Sequence, residues 1–258
     1  MCPYFHVLGR QFTVYGLLMV IGMAVALLVT ILISSRFSIM REDALYIVLL
    51  GCAGGIVGAH LLSHIISIPK YIRVLKEKPE IFWDVLLNGG LIFWGGFIGG
   101  LIFILLFNRR FKINNLNTLN MLSGPLALAH GFGRLGCLSA GCCYGKPIEG
   151  GIVFHNSPAA PNGVPLIPTQ LIEAIFNFLL FLVLIILSGN RRIRHYLAHI
   201  YLFAYPIFRF FIEFFRGDVI RGFLWGLSTS QWISLAALIA NSLWLSRRIK
   251  RLRREQQA

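Results

Sequence analysis

The stretch F-T-V-Y-G-L-L-M-V-I-G-M-A-V-A-L-L-V-T-I-L-I, Phe12 to Ile33, runs for 22 residues without a charged side chain. A helix rises 1.5 Å per residue, so this run matches a bilayer hydrocarbon core of about 30 Å. It is too long for the apolar region of a signal peptide, and no A-x-A pattern follows it. It therefore reads as a retained first span. Six further apolar segments have a comparable length, at about 44–68, 85–107, 116–138, 169–187, 196–215 and 228–245. The expectation is an all-α integral membrane protein, one polytopic domain over residues 1–258 with about seven transmembrane helices. Composition agrees: 57% of the 258 residues are apolar and the mean hydropathy is +0.73.

The net charge is +14. The charges sit in short clusters between apolar runs, the pattern of a chain that meets a membrane surface. Nucleic acid is excluded as a partner, because no soluble basic face is visible. With seven spans the termini lie on opposite sides. One set of loops, with the C-terminal tail, carries fourteen Lys and Arg residues; the other carries eight. That excess puts the C-terminus in the cytoplasm and the N-terminus outside. The cluster Lys70, Arg73, Lys76 and Lys78 opposes this assignment, and an amphipathic arm on the outer leaflet would reconcile it.

Glycines at small-xxx-small spacing mark the second and third segments: Gly51/Gly55, Gly54/Gly58, Gly95/Gly99 and Gly96/Gly100. They predict close helix packing. Asn88-Gly89-Gly90 reads as a place where the helix breaks to line a cavity. His60 and His64, at i and i+4, read as packing histidines in preference to a metal pair, since no acidic or third ligand is near.

The chemistry concentrates in His130 to Lys146, H-G-F-G-R-L-G-C-L-S-A-G-C-C-Y-G-K. An arginine inside a span costs about 2.5–3.5 kcal/mol on insertion scales, so a chain that keeps Arg134 there uses it. His130, Arg134 and Cys137 fall at i, i+4 and i+7 and share one helix face. Glu173 opens the fifth segment and suits a first-turn position as a helix cap. Tyr205, Arg209, Glu213 and Arg216 share a face of the sixth, where an Arg209–Glu213 ion pair is expected. Two arginines at membrane depth suit a phosphate, which the guanidinium fork grips through two oxygens. The residues thus point to a lipid-headgroup site on the outer leaflet and to chemistry at a glycerol–phosphate bond, the leaving phosphate stabilised by Arg134 and Arg209.

These residues carry a resemblance to the bacterial prolipoprotein diacylglyceryl transferase family over nearly the whole chain. Its pieces are Val14-Tyr15-Gly16, Asn88-Gly89-Gly90, Phe93-Trp94-Gly95-Gly96, Gly133-Arg134-Leu135-Gly136, Gly145, and Pro168-Thr169-Gln170 with Glu173. Tyr205, Arg209-Phe210, Glu213-Phe214-Phe215-Arg216, Gln231 and Ser234 complete it. The resemblance implies transfer of the diacylglyceryl group of phosphatidylglycerol to the lipobox cysteine of a prolipoprotein, without a cofactor or metal. It implies a bacterial inner membrane location with the site facing the periplasm. It assigns headgroup contacts to Arg134 and Arg209, and further site roles to Tyr15, Asn88, Gly133, Gly136, Gly145, Glu173, Tyr205 and Glu213. The chain departs from the family pattern at Trp94, where a proposed catalytic histidine is usual, and at Cys137, Gly141-Cys142 and Ile167. His130 is read either as the replacement base or, with equal weight, as a packing residue. Two other readings stay open: a relative with another acceptor or no catalysis, and a membrane thiol-redox or metal-handling protein using Cys137, Cys142 and Cys143. Against the metal reading stands the adjacency of Cys142 and Cys143, which suits a tetrahedral site poorly.

Overall fold

Helices dominate because a chain in hydrocarbon must satisfy its backbone internally. The structure, a computed structural model, describes residues 4–7, 10–87, 89–218 and 222–257. Among these, four helices are long and apolar enough to cross a membrane: Val14–Phe37, Arg41–Glu77, Thr169–Ser188 and Arg194–Phe215. In chain order, a hairpin of β1 (Tyr4–Val7) and β2 (Arg10–Thr13) leads into α1 (Val14–Ile33). α2 (Arg41–Glu77), α3 (Phe82–Leu87), α4 (Phe93–Phe111) and α5 (Asn115–Ala140) follow. A small antiparallel pair, β3 (Pro147–Val153) with β4 (Pro165–Leu166), precedes α6 (Thr169–Ser188) and α7 (Leu197–Ile212). A short hairpin, β5 (Phe223–Leu224) with β6 (Leu227–Ser228), introduces α8 (Thr229–Gln257).

The chain forms two compact units. One is Ile31–Thr118. Within it α2 and α4 lie backbone to backbone along the expected glycines. A Cβ at Gly54 would stand 2.6 Å from the Gly99 carbonyl oxygen, and one at Gly100 2.8 Å from that of Gly51. No side chain fits there, which is why the seam is glycine on both sides. His64 contacts the Tyr71 hydroxyl through Nδ1 at 2.7 Å and stacks on His60, so this pair is engaged in packing. The third apolar segment is not one continuous helix over 85–107. Helix α3 stops at Leu87 and α4 starts at Phe93. The Gly89 backbone sits on the His64 ring, and the Ile92 amide donates to the Ala59 carbonyl of α2 at 3.3 Å. Asn88 lies outside the described residues.

The second unit is Met1–Thr30 with Leu119–Ala258. Buried amides and a histidine join its helices. Asn120 of α5 donates to the His195 carbonyl and accepts from the Ala198 amide. Asn241 of α8 contacts His199 Nδ1 at 2.7 Å and donates to the His199 carbonyl. Such interhelical hydrogen bonds suit apolar surroundings, where an unpaired polar group is costly. α8 starts with a reciprocal cap: the Ser228 amide donates to Gln231 Oε1, and the Gln231 amide to Ser228 Oγ. The 146–168 connection packs on its own small core of Phe154, Ala160 and Leu166.

Candidate active site

Helices α5, α6 and α7 present charged side chains to one another. Glu173 Oε1 lies 3.0 Å from Arg134 Nη2, and Glu173 Oε2 lies 3.7 Å from Arg209 Nη1. Arg209 Nη2 meets Glu213 at 2.7 Å, as the i, i+4 spacing predicts. Glu213 lies 3.9 Å from Arg216 Nε, and Arg216 forks onto Asp218 at 2.9 and 2.6 Å. The result is a ribbon of alternating sign, Arg134–Glu173–Arg209–Glu213–Arg216–Asp218. Its formal charges cancel, which is the condition for keeping six ionised groups in low dielectric.

Glu173 is the hub. Its side chain is 2% exposed, and Tyr205 also donates to it, at 3.1 Å. It is not a helix cap: Pro168 occupies the cap position, with no side-chain cap hydrogen bond. Glu173 is the fifth residue of α6, past the first-turn amides that lack intrahelical partners. Its carboxylate turns to the arginines instead. Asn177, one turn on, donates to the Glu173 carbonyl.

His130 and Arg134 share a face as expected. Arg134 Nε donates to His130 Nε2 at 3.2 Å, and the imidazole meets Tyr205 edge to face at 4.8 Å between centroids. His130 Nε2 also lies 3.5 Å from the Tyr205 hydroxyl and 3.9 Å from Glu173. The His130 side chain is 26% exposed against 14% for Arg134 and 7% for Arg209, so the ring is the most accessible of the three.

The remaining expected residues form the frame. Tyr15 covers Gly136, where a Cβ would come within 2.9 Å of its ring, and Gly133 faces Met19. Gly145 is wedged between Ile167 and the Phe215 carbonyl, and its amide donates to the Ile167 carbonyl at 3.0 Å. Tyr15 makes no hydrogen bond to the ribbon among the described residues. Arg134, Glu173, Tyr205, Arg209, Glu213 and His130 are brought together. Asn88 lies outside the described residues, and Trp94 is in the first turn of α4, 44% exposed.

Four side chains do work that the sequence reading did not assign to them. Asp218 ends the ribbon; the only hint was an acid two residues after Arg216. Ser230 accepts from Arg209 Nη2 at 3.2 Å. Thr169 and Gln170 donate to the carbonyls of Cys143 and Cys142, each at 2.8 Å. The P-T-Q sequence thus clamps the turn after α5, and no local pattern announces bonds that reach back 26 and 28 residues.

A family model described as prolipoprotein diacylglyceryl transferase matches residues 3–246. A phosphatidylglycerol–prolipoprotein diacylglyceryl transferase of Clostridium tetani is 36% identical over 237 residues, covering 91% of this chain and 92% of that protein. Another, from Clostridium perfringens, is 35% identical over 240 residues, covering 92% and 91%. One from Finegoldia magna is 28% identical over 239 residues. By the extent of the family match and by these relatives, the chain belongs to the prolipoprotein diacylglyceryl transferase family.

Proposed function

We propose that the protein transfers the diacylglyceryl group of phosphatidylglycerol to the thiol of a prolipoprotein lipobox cysteine. The observation that supports this most is the open end of the charge ribbon. Arg209 and Arg216 each stand between two carboxylates. Arg134 has one, Glu173, and its other contact is a neutral-capable imidazole. It is also the most exposed of the three arginines. A phosphodiester headgroup supplies the missing anion at that end. Arg209 lies behind it, with Nη1 making no hydrogen bond among the described residues.

In the reaction the lipobox sulfur attacks the glycerol carbon that bears the phosphate. A C–S bond forms, the C–O bond to phosphate breaks, and glycerol phosphate leaves with the electron pair. Arg134 and Arg209 stabilise the charge that develops on the departing oxygen. The thiol proton goes to His130 Nε2. In the resting arrangement that nitrogen accepts from Arg134 Nε, so a headgroup that turns Arg134 toward its phosphate also uncovers the base. Tyr205 and Glu173 hold the arginines in position. The chain spans the membrane seven times, through α1, α2, α4, α5, α6, α7 and α8. Its basic tail is cytoplasmic, and the ribbon faces the periplasmic side of a bacterial inner membrane.

The test uses purified protein, labelled phosphatidylglycerol and a lipobox peptide. Diacylglyceryl-peptide and released glycerol phosphate are followed by mass spectrometry, with Arg134→Ala as the control. Both products are expected from wild type. His130→Gln is expected to lose about 100-fold or more in turnover with lipid binding retained, the range for removal of a general base. Full turnover in His130→Gln would assign the proton to another acceptor. Absence of both products from folded, lipid-binding wild type would reject the transfer itself.

A further inference from the structure

Three thiols stand beside the ribbon without a part in the transfer. Cys137 lies in the last turn of α5, and Cys142 and Cys143 in the turn that follows. Their sulfurs all lie within 4.8 Å of one another. None is in a disulfide, and each is partly buried. Adjacent cysteines ordinarily diverge, but here the backbone reverses. Gly141 and Cys143 take left-handed φ angles of +70° and +63°. The Cys142 amide returns to the Cys137 carbonyl at 3.1 Å. This fold-back overcomes the objection that adjacent spacing suits a metal poorly.

We propose that Cys137, Cys142 and Cys143 form a three-thiolate site for a soft, thiophilic d¹⁰ cation of the zinc, cadmium or copper(I) class. A cation bonded at about 2.3 Å to three sulfurs needs them about 3.8–4.0 Å apart. From a spacing within 4.8 Å, closure takes side-chain adjustment of under about 1 Å. An all-sulfur donor set selects soft ions over magnesium or calcium. Binding forms metal–sulfur bonds and releases the thiol protons to solvent. Three thiolates with a monovalent or divalent ion leave net negative charge, and the surroundings compensate it: the Arg216 and Arg134 guanidiniums both lie within electrostatic reach of Cys143. The peptide carbonyls are already held, Cys142 by Gln170 and Cys143 by Thr169, so the turn is fixed before an ion arrives. An ion there would pin the end of α5, one turn after Arg134, to the turn that carries Gly145.

The experiment uses the full chain in detergent, reduced anaerobically and exposed to cadmium(II), then desalted. The expected result is one cadmium per chain by elemental mass spectrometry, with a thiolate-to-cadmium charge-transfer band. Cys137→Ser, Cys142→Ser and Cys143→Ser are each expected to weaken retention by tenfold or more, whereas a Cys2→Ser/Cys52→Ser double variant retains the ion. A wild-type measurement guards against misfolded variants. Alkylation followed by peptide mass spectrometry is expected to show the three thiols protected by added cadmium, with Cys52 labelling unchanged. Equal alkylation of the 137–143 peptide with and without the ion, or undiminished retention in the triple serine variant, would overturn the site. Neither readout depends on diacylglyceryl transfer.

Discussion

The glycine seam of α2 and α4 and the charge ribbon of α5, α6 and α7 both join helices, by opposite means. The seam has no charge and no side chain; its contact is backbone on backbone, and size alone governs it. The ribbon has long side chains and six formal charges, and there sign and partner count govern. A seam of this kind holds whatever stays small. A ribbon of this kind holds whatever keeps each cation beside an anion, and only it can exchange an internal anion for an external one. Structure without chemistry and structure poised for chemistry are thus separable here by the substitutions each tolerates.

The hub gives the largest expected effect. Glu173→Ala removes the anion between Arg134 and Arg209, and breaking a buried pair from one side costs about 3–5 kcal/mol. Thermal unfolding in detergent is expected to show a large loss of stability. A second change, Arg134→Met, is expected to recover part of it, because one uncompensated charge is then gone. An unchanged midpoint in Glu173→Ala would mean the ribbon is not held by charge. Next comes the open end. Arg134→Ala is expected to lower turnover by about 100- to 1000-fold, the scale for removing one donor to a developing oxyanion. Arg134→Lys is expected to recover only a minor part, since lysine is a point charge without the fork. Wild-type turnover in Arg134→Lys would show that fork geometry contributes nothing beyond the charge.

The seam ranks below both. Gly99→Leu drives a side chain into the Gly54 and Gly58 backbone and is expected to cost at least the ~1–3 kcal/mol of overpacking. Gly99→Ala is expected to cost less. A leucine there without effect on unfolding would show that the helices separate easily, and the contrast with the ribbon would collapse.

Much of this was legible because intramembrane charge is rare enough to stand out. Arg134, Arg209 and Glu213 announced themselves as charges in apolar runs, and helical spacing alone placed His130 and Arg134 on one face. The glycine pairs announced the seam for the same reason: periodic smallness has few other uses in a span. Glu173 was placed near a helix start but given the wrong task, because sequence shows a position in a helix and not which neighbours reach it. The helix break after Leu87 was signalled by Gly89-Gly90, yet hydropathy carried the segment straight through it. Thr169 and Gln170 stood out only as part of a motif, and Ser230 not at all; their partners are backbone or side-chain groups more than 20 residues away, and no local period encodes them.

Thr169 supplies the smallest and most discriminating test. Thr169→Val keeps the shape of the side chain and removes its hydrogen bond to the Cys143 carbonyl. The expected loss is about 1 kcal/mol, the usual net contribution of one hydrogen bond. That is well below the cost at Glu173, although only one helical turn separates the two residues. The ribbon is untouched, so headgroup affinity is expected to stay near wild type. The turn of Cys142 and Cys143 loses one of its two α6 anchors, so alkylation of these thiols is expected to quicken while that of Cys52 does not. Faster labelling with intact lipid binding would show that α6 serves two neighbours independently: the ribbon through Glu173 and the cysteine turn through Thr169 and Gln170. Loss of lipid binding in Thr169→Val would instead make the turn and the ribbon one mechanical unit, and the line between positioning and chemistry would have to be drawn around both.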